Sequence, residues 1–330
     1  MPIRASTPAT TPVTPRVTPR GTSRTTLTGA LATALLAADL VLAPPAQAAP
    51  PSYVALGDSS SSGTGTRTYL DDGTTCQRSV HAFPSLLAAA KGWALNFRAC
   101  SGAKIPDVST LQLSALSPGT SFVTVSVGGN DSGFTSVLTA CAKPWWAADC
   151  DGAIDRAQSY VRTSLPGALS TLYAAIRSRA PSARVTAVGY PRIFNGTDCN
   201  ALTWFSPSEM TRLNAVTDLL DATTSAAATA AGFSFADPRR AFRGHAVCDS
   251  PEWVNGLSSP TTESYHPKAS GHRDGYLPVV GPLLTGSVVI APPAVLDAAR
   301  ESASRLAQQQ RRYADRDRVI EPETFRAPSR

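Results

Sequence analysis

The chain has 330 residues, 42% of them hydrophobic, with 30 lysines and arginines against 24 aspartates and glutamates, a formal charge of +6. That is enough apolar material for one sizeable core, and it excludes a fibrous or wholly disordered chain. Four of the basic residues and one acid, Asp39, precede residue 49, so the remainder carries only about +3, too little to predict attraction to nucleic acid or to a charged membrane.

The first stretch carries Arg4, Arg16, Arg20 and Arg24 without an acid, then an apolar segment from Leu27 to Leu42, then Ala46-Gln47-Ala48 ahead of Ala49. This pattern predicts a secretory signal over residues 1–48, cut after Ala48, and an extracellular protein. Asp39 interrupts the apolar segment and weighs against a permanent anchor. From residue 49 to 290, short apolar runs alternate with longer stretches of helical spacing. The runs predict strands at Tyr53–Leu56, Ala94–Phe97, Phe122–Val127, Arg184–Val188 and Phe233–Ala236. Helical spacing covers Ala82–Lys91, Ser132–Ala142, Ile154–Arg179, Pro207–Ala230 and Pro267–Val280. Such alternation implies an α/β fold, a parallel sheet covered on both faces, with ligands gathering beyond the carboxyl ends of the strands. Residues 291–330 form a charged extension, expected as an added helix or as disorder. The uncharged run Gly275–Leu296 raises a terminal anchor as a minor alternative, but four prolines interrupt it.

All six cysteines lie after residue 48. An even number in an oxidising compartment predicts disulfides, and pairing neighbours in order (Cys76–Cys100, Cys141–Cys150, Cys199–Cys248) is the simplest arrangement. No Cys-x-x-Cys occurs, so zinc is not expected.

Four short segments carry chemistry. Ser59 ends Tyr-Val-Ala-Leu-Gly-Asp-Ser, a buried strand running into a glycine turn that delivers a hydroxyl to the sheet edge. The others are Cys-Ser-Gly-Ala (100–103), Gly-Gly-Asn-Asp (128–131) and Glu-Ser-Tyr-His-Pro (263–267). Taken alone, Ser59 to Ser62 read equally as helix-capping serines and Asn130 as a turn former, and Asp58 reads as a turn-holding acceptor. Of the four histidines, only His266 stands before a proline at a predicted loop-to-helix junction. No Gly-x-Ser-x-Gly motif is present, which argues against the other common serine hydrolase turn.

Together, Gly57-Asp58-Ser59, Gly102, Gly-Gly-Asn ending at Asn130, and His266 within His-Pro-x-x-x-Gly-His occur in the order of the four blocks of the SGNH, or GDSL, hydrolases. The cysteine pattern and Gly-Tyr-Pro-Arg (189–192) resemble the secreted actinobacterial esterases and lipases of that family. The resemblance spans about residues 52–285 and implies a flavodoxin-like three-layer sandwich hydrolysing acyl esters. It differs at Ser60, where an apolar residue is usual, and at Glu263, where aspartate is usual.

Ester hydrolysis by a serine needs a base for the hydroxyl proton and donors for the charge that develops on the carbonyl oxygen. Ser59 would attack, with His266 as base. The oxyanion donors would be the backbone N–H groups of Ser59 and Gly102 and the side-chain amide of Asn130. Support for the imidazole is open between Glu263, completing a triad, and a main-chain carbonyl at Glu263 or Ser264. No cofactor or metal is expected. A small-molecule or lipid ester is the expected substrate, for a monomer with transient lipid-surface contact and no nucleic acid. Trp145 and Trp146, between Cys141 and Cys150, could line an acyl pocket, face lipid or simply pack their loop. A carbohydrate O-acetyl esterase, a phospholipase and a non-catalytic secreted binding protein are the alternatives.

Overall fold

The computed structural model describes residues 11, 14–16 and 48–328. The chain divides after Gln47, and the predicted signal falls almost entirely outside the described residues. In the second unit, β1 (Ser52–Gly57) runs into the short helix α1 (Ser59–Ser62), and α2 (Phe83–Lys91) leads to β2 (Ala94–Phe97). One turn of helix, α3 (Ile105–Asp107), opens the path to β3 (Phe122–Ser126). Then α4 (Phe134–Cys141), α5 (Cys150–Thr163) and α6 (Leu165–Arg179) precede β4 (Arg184–Val188). The next helix, α7 (Pro207–Ala230), precedes β5 (Ser234–Ala236). After a long loop come α8 (Leu277–Thr285) and three tail helices, α9 (Pro293–Glu301), α10 (Ala303–Arg311) and α11 (Ala314–Asp317).

The five strands are parallel in the order β2-β1-β3-β4-β5. This is the doubly wound order of flavodoxin-like folds, and its switch point lies between β1 and β3. Alternation along the strands divides the core. Tyr53, Ala55, Leu95 and Phe97 face a cluster with α2 and α8, while Val54, Leu56, Val123 and Val125 face one with α6. All three layers of the expected sandwich are therefore present.

Local chemistry accounts for the boundaries. α7 begins where Ser206 and Glu209 form a reciprocal capping box ahead of Pro207. The single helix predicted over Ile154–Arg179 is two, α5 and α6, because Pro166 lacks an N–H and sits where a helix restarts. Similarly, the pattern predicted at Pro267–Val280 resolves into a π-helical turn at Gly271–Tyr276 and then α8, with Pro278 at its start. The three disulfides join Cys76–Cys100, Cys141–Cys150 and Cys199–Cys248. Among the described residues, no helix is long and apolar enough to cross a membrane.

Candidate active site

The nucleophile block is built by a close approach of strand ends. At Gly57 the backbone φ is +122°, and a β-carbon there would strike the Ser126 backbone, so only glycine lets β1 turn beside β3. The Gln112 side chain clamps both sides of that peptide, accepting from Gly57 N–H (2.7 Å) and donating to its carbonyl (2.8 Å). Asp58 caps α1. Its Oδ1 accepts from Ser60 N–H (3.0 Å) and Ser126 Oγ (2.9 Å), and its Oδ2 from the Tyr190 hydroxyl (2.5 Å). Burial pushes this carboxyl up to about 6, although the three donors oppose the shift. Ser59 opens α1 with its hydroxyl free to face the crevice, while Ser61 and Ser62 bond to Ser126 and to the Ser59 carbonyl.

His266 comes from the far end of the chain. Its Nε2 lies 2.9 Å from Ser59 Oγ, across 207 residues of sequence. Its Nδ1 lies 2.9 Å from the carbonyl oxygen of Ser264. A carbonyl can only accept, so the ring proton sits on Nδ1 and Nε2 presents its lone pair to the serine hydroxyl. With both ring nitrogens facing protein groups, lost hydration brings the imidazole down from 6.5 to about 4, the Ser264 carbonyl opposing this in part. The backbone of the histidine is pinned by Asn255, whose N–H and side-chain amide both donate to the His266 carbonyl (2.9 and 3.1 Å).

Glu263 does not reach the ring. Its buried carboxylate accepts from the Tyr69 hydroxyl (2.6 Å) and lies 3.5 Å from Arg67 Nε. Its carbonyl instead accepts the His266 N–H (3.3 Å). Of the two supports left open by the sequence, the Ser264 carbonyl is the one that meets the imidazole.

Asn130 lies four residues past β3, buried, and one side-chain N–H donates to the Ala103 carbonyl (3.0 Å). That bond fixes the amide and leaves its second N–H available. Among the described residues, neither Ser59 N–H nor Gly102 N–H makes a protein hydrogen bond. Gly102 itself has φ +87°. The other histidines are placed elsewhere. His272 is fully buried beside Phe83 and Tyr276, where burial holds it down to about 3, and His245 stacks on Trp253.

An apolar pocket opens from Ser59, Asn130 and His266, walled by Phe134, Tyr190, Ile193, Leu220 and Tyr265. A second cavity shares Phe134, Ile193, Thr217 and Leu220 and runs inward to Val137, Leu138 and Leu213. Trp145 and Trp146 do not line either. They stand 83% and 71% exposed on the disulfide-closed loop, and the backbone N–H of Trp204 donates to the Ala142 carbonyl at the start of that loop.

Tyr190, Gln112 and Asn255 are site residues that sequence reasoning missed. Tyr190 links two blocks, donating to Asp58 and accepting from Gly129 N–H (3.3 Å). Its place in Gly-Tyr-Pro-Arg was the one available signal. Gln112 and Asn255 stand in segments without a motif.

Residues 55–273 match the model of the GDSL-like lipase/acylhydrolase family. The chain belongs to that family and is a carboxylic ester hydrolase. Among curated proteins it is similar to Lipase 1 of Streptomyces coelicolor, 42% identical over 259 residues, covering 76% of this chain and 95% of the relative. Among solved structures it is similar to the extracellular lipase of Streptomyces rimosus, 39% identical with a TM-score of 0.66, covering 70% of this chain and 98% of that one. Phospholipase A1 of Streptomyces albidoflavus is 38% identical, also at 0.66, with the same coverage of both chains.

Proposed function

We propose that the protein is a secreted esterase or lipase in which Ser59 attacks the ester carbonyl and His266 is the base. The observation that carries this is the 2.9 Å approach of Ser59 Oγ to a histidine nitrogen whose lone pair is free to accept. Attack would move the hydroxyl proton to Nε2, and the imidazolium would pass it to the departing alcohol. Water would then repeat the cycle on the acyl-enzyme and release the acid. The N–H groups of Ser59 and Gly102 and the Asn130 amide would receive the developing negative charge. The Ser264 carbonyl would orient the imidazole, making this a Ser–His pair rather than a triad through Glu263.

The apolar continuation of the pocket beyond Phe134 and Leu220 favours acyl chains longer than acetate, and so a lipase or esterase over a carbohydrate deacetylase. The exposed Trp145 and Trp146 suit transient contact with a lipid surface by a monomer, with no part for nucleic acid. Secretion is supported by the Arg-containing, then apolar leader and by three disulfides, and the similar protein of Streptomyces rimosus is extracellular.

The test is a series of p-nitrophenyl esters from acetate to palmitate with the wild type, Ser59→Ala, His266→Ala and Glu263→Ala. The first two variants should lose at least about 10³-fold in kcat with folding retained. Glu263→Ala should keep kcat within about tenfold, and a loss of about 10⁴-fold would restore the triad. Full activity in Ser59→Ala would end the proposal.

A further inference from the structure

The tail returns to the catalytic end of the sheet. It lies beyond the family-matched residues 55–273 and is docked by Asp317, which bonds Arg78 Nη2 (2.5 Å) and Arg98 Nη2 (2.6 Å), all three side chains fully buried. Past this anchor and the buried Ile320, the segment Glu321–Arg326 touches the surroundings of the Gly102, Asn130 and His266 blocks. The Glu321 carbonyl and Pro322 Cα stand directly against Gly102, where any β-carbon would collide with them. Glu323 lies 3.4 Å from Lys104 Nζ. Phe325 is 3% exposed, its ring edge-on to Tyr265 at 5.0 Å, and Tyr265 both walls the pocket and precedes His266. Finally, Arg326 N–H donates to Thr139 Oγ1 on α4, the helix that follows Asn130 (3.2 Å).

We propose that Glu321–Arg326 is a specificity strap across the rim of the catalytic crevice, with Phe325 its principal contact. It limits the bulk of the ester that reaches Ser59, and so rests on the proposed role of that serine. The segment has the means to act this way because its hold is light compared with its anchor. Backbone packing of Glu321 and Pro322 on Gly102, one ion pair with the half-exposed Lys104, one hydrogen bond to Thr139 and one buried phenyl ring secure six residues, with none of the buried ion pairs that hold Asp317. Tyr265 adds a reason for sensitivity. It is a non-glycine residue at φ +61°, and the rings of Phe194, Phe205 and Phe325 all pack with centroids within 5.9 Å of its own. Loss of Phe325 would free the wall next to the base while leaving Ser59 and His266 unchanged.

The experiment compares two esters with the same acyl chain and different alcohols, p-nitrophenyl octanoate and trioctanoylglycerol, in three proteins: the full chain, a chain ending at Ile320, and Phe325→Ala in the full chain. Both altered proteins should raise kcat/KM for the glyceride relative to the p-nitrophenyl ester by about tenfold or more, the shortened chain most, with the p-nitrophenyl ester changed by less than about threefold. An unchanged ratio, or an equal fall on both esters, would overturn the strap. If the shortened chain does not fold, Phe325→Ala decides by the same ratio. Failure of the Ser59 reading shows separately, as retained p-nitrophenyl octanoate hydrolysis by Ser59→Ala in the full chain.

Discussion

Asp58 and Asp317 are both buried carboxylates, one beside the nucleophile and one in the tail, and they differ in what meets them. Asp58 takes only neutral donors, from Tyr190, Ser126 and Ser60 N–H, and burial consequently pushes it up to about 6. Asp317 takes two guanidinium groups, with Gln310 and the face of Tyr313 completing the surroundings of Arg98. Neutral hydrogen bonds aim a turn without placing a cation beside His266, whose lone pair must remain available. An ionic cluster suits a different task, holding a separate segment of chain against the sheet, because breaking it strands charges away from water.

The comparison can be broken most directly at the ionic end. Asp317→Ala should cost about 3–5 kcal/mol of folding stability, read from denaturant midpoints, because Arg98 loses its carboxylate partner inside the protein. Tyr190→Phe should cost less, about 1.5–3 kcal/mol, for one charge-assisted hydrogen bond to Asp58 and the longer one from Gly129 N–H. Equal losses in the two variants would erase the distinction between the networks. The smallest expected effect sharpens the role of the neutral surroundings. His266 must be neutral to act, and it protonates only as pH falls through about 4. Loss of the neutral imidazole should therefore account for less than about twofold of any fall in kcat/KM on a soluble ester between pH 7 and pH 5, the remainder following Asp58 through about 6, whereas a histidine at its ordinary value would by itself lose about 25-fold.

Much of this was legible along the chain. Apolar runs such as Tyr53–Leu56 and Phe122–Val127 fall on β1 and β3 because inner strands buried on both faces read as nearly continuous hydrophobic segments. The helix breaks at Ser164 and before α8 were harder to see, since apolar spacing continues through a proline that ends hydrogen bonding. Ser59, Gly102, Asn130 and His266 stand in short motifs, and their mutual placement follows from the order of the strands. Gln112 and Asn255 escaped notice because each acts on a backbone group 55 or 11 residues away, a distance no local pattern encodes.

The amino-acid order alone determined the alternating elements and the four blocks, since periodicity and turn residues are properties of neighbouring positions; for the six cysteines it offered only the simplest pairing. Only the folded chain decided that the Ser264 carbonyl, not the Glu263 carboxylate, meets His266, and that the last residues come to rest against Gly102 and Tyr265. Those choices depend on how the loop around Ser264 turns and on which distant groups burial brings into contact. Residue type constrains that competition without determining its winner.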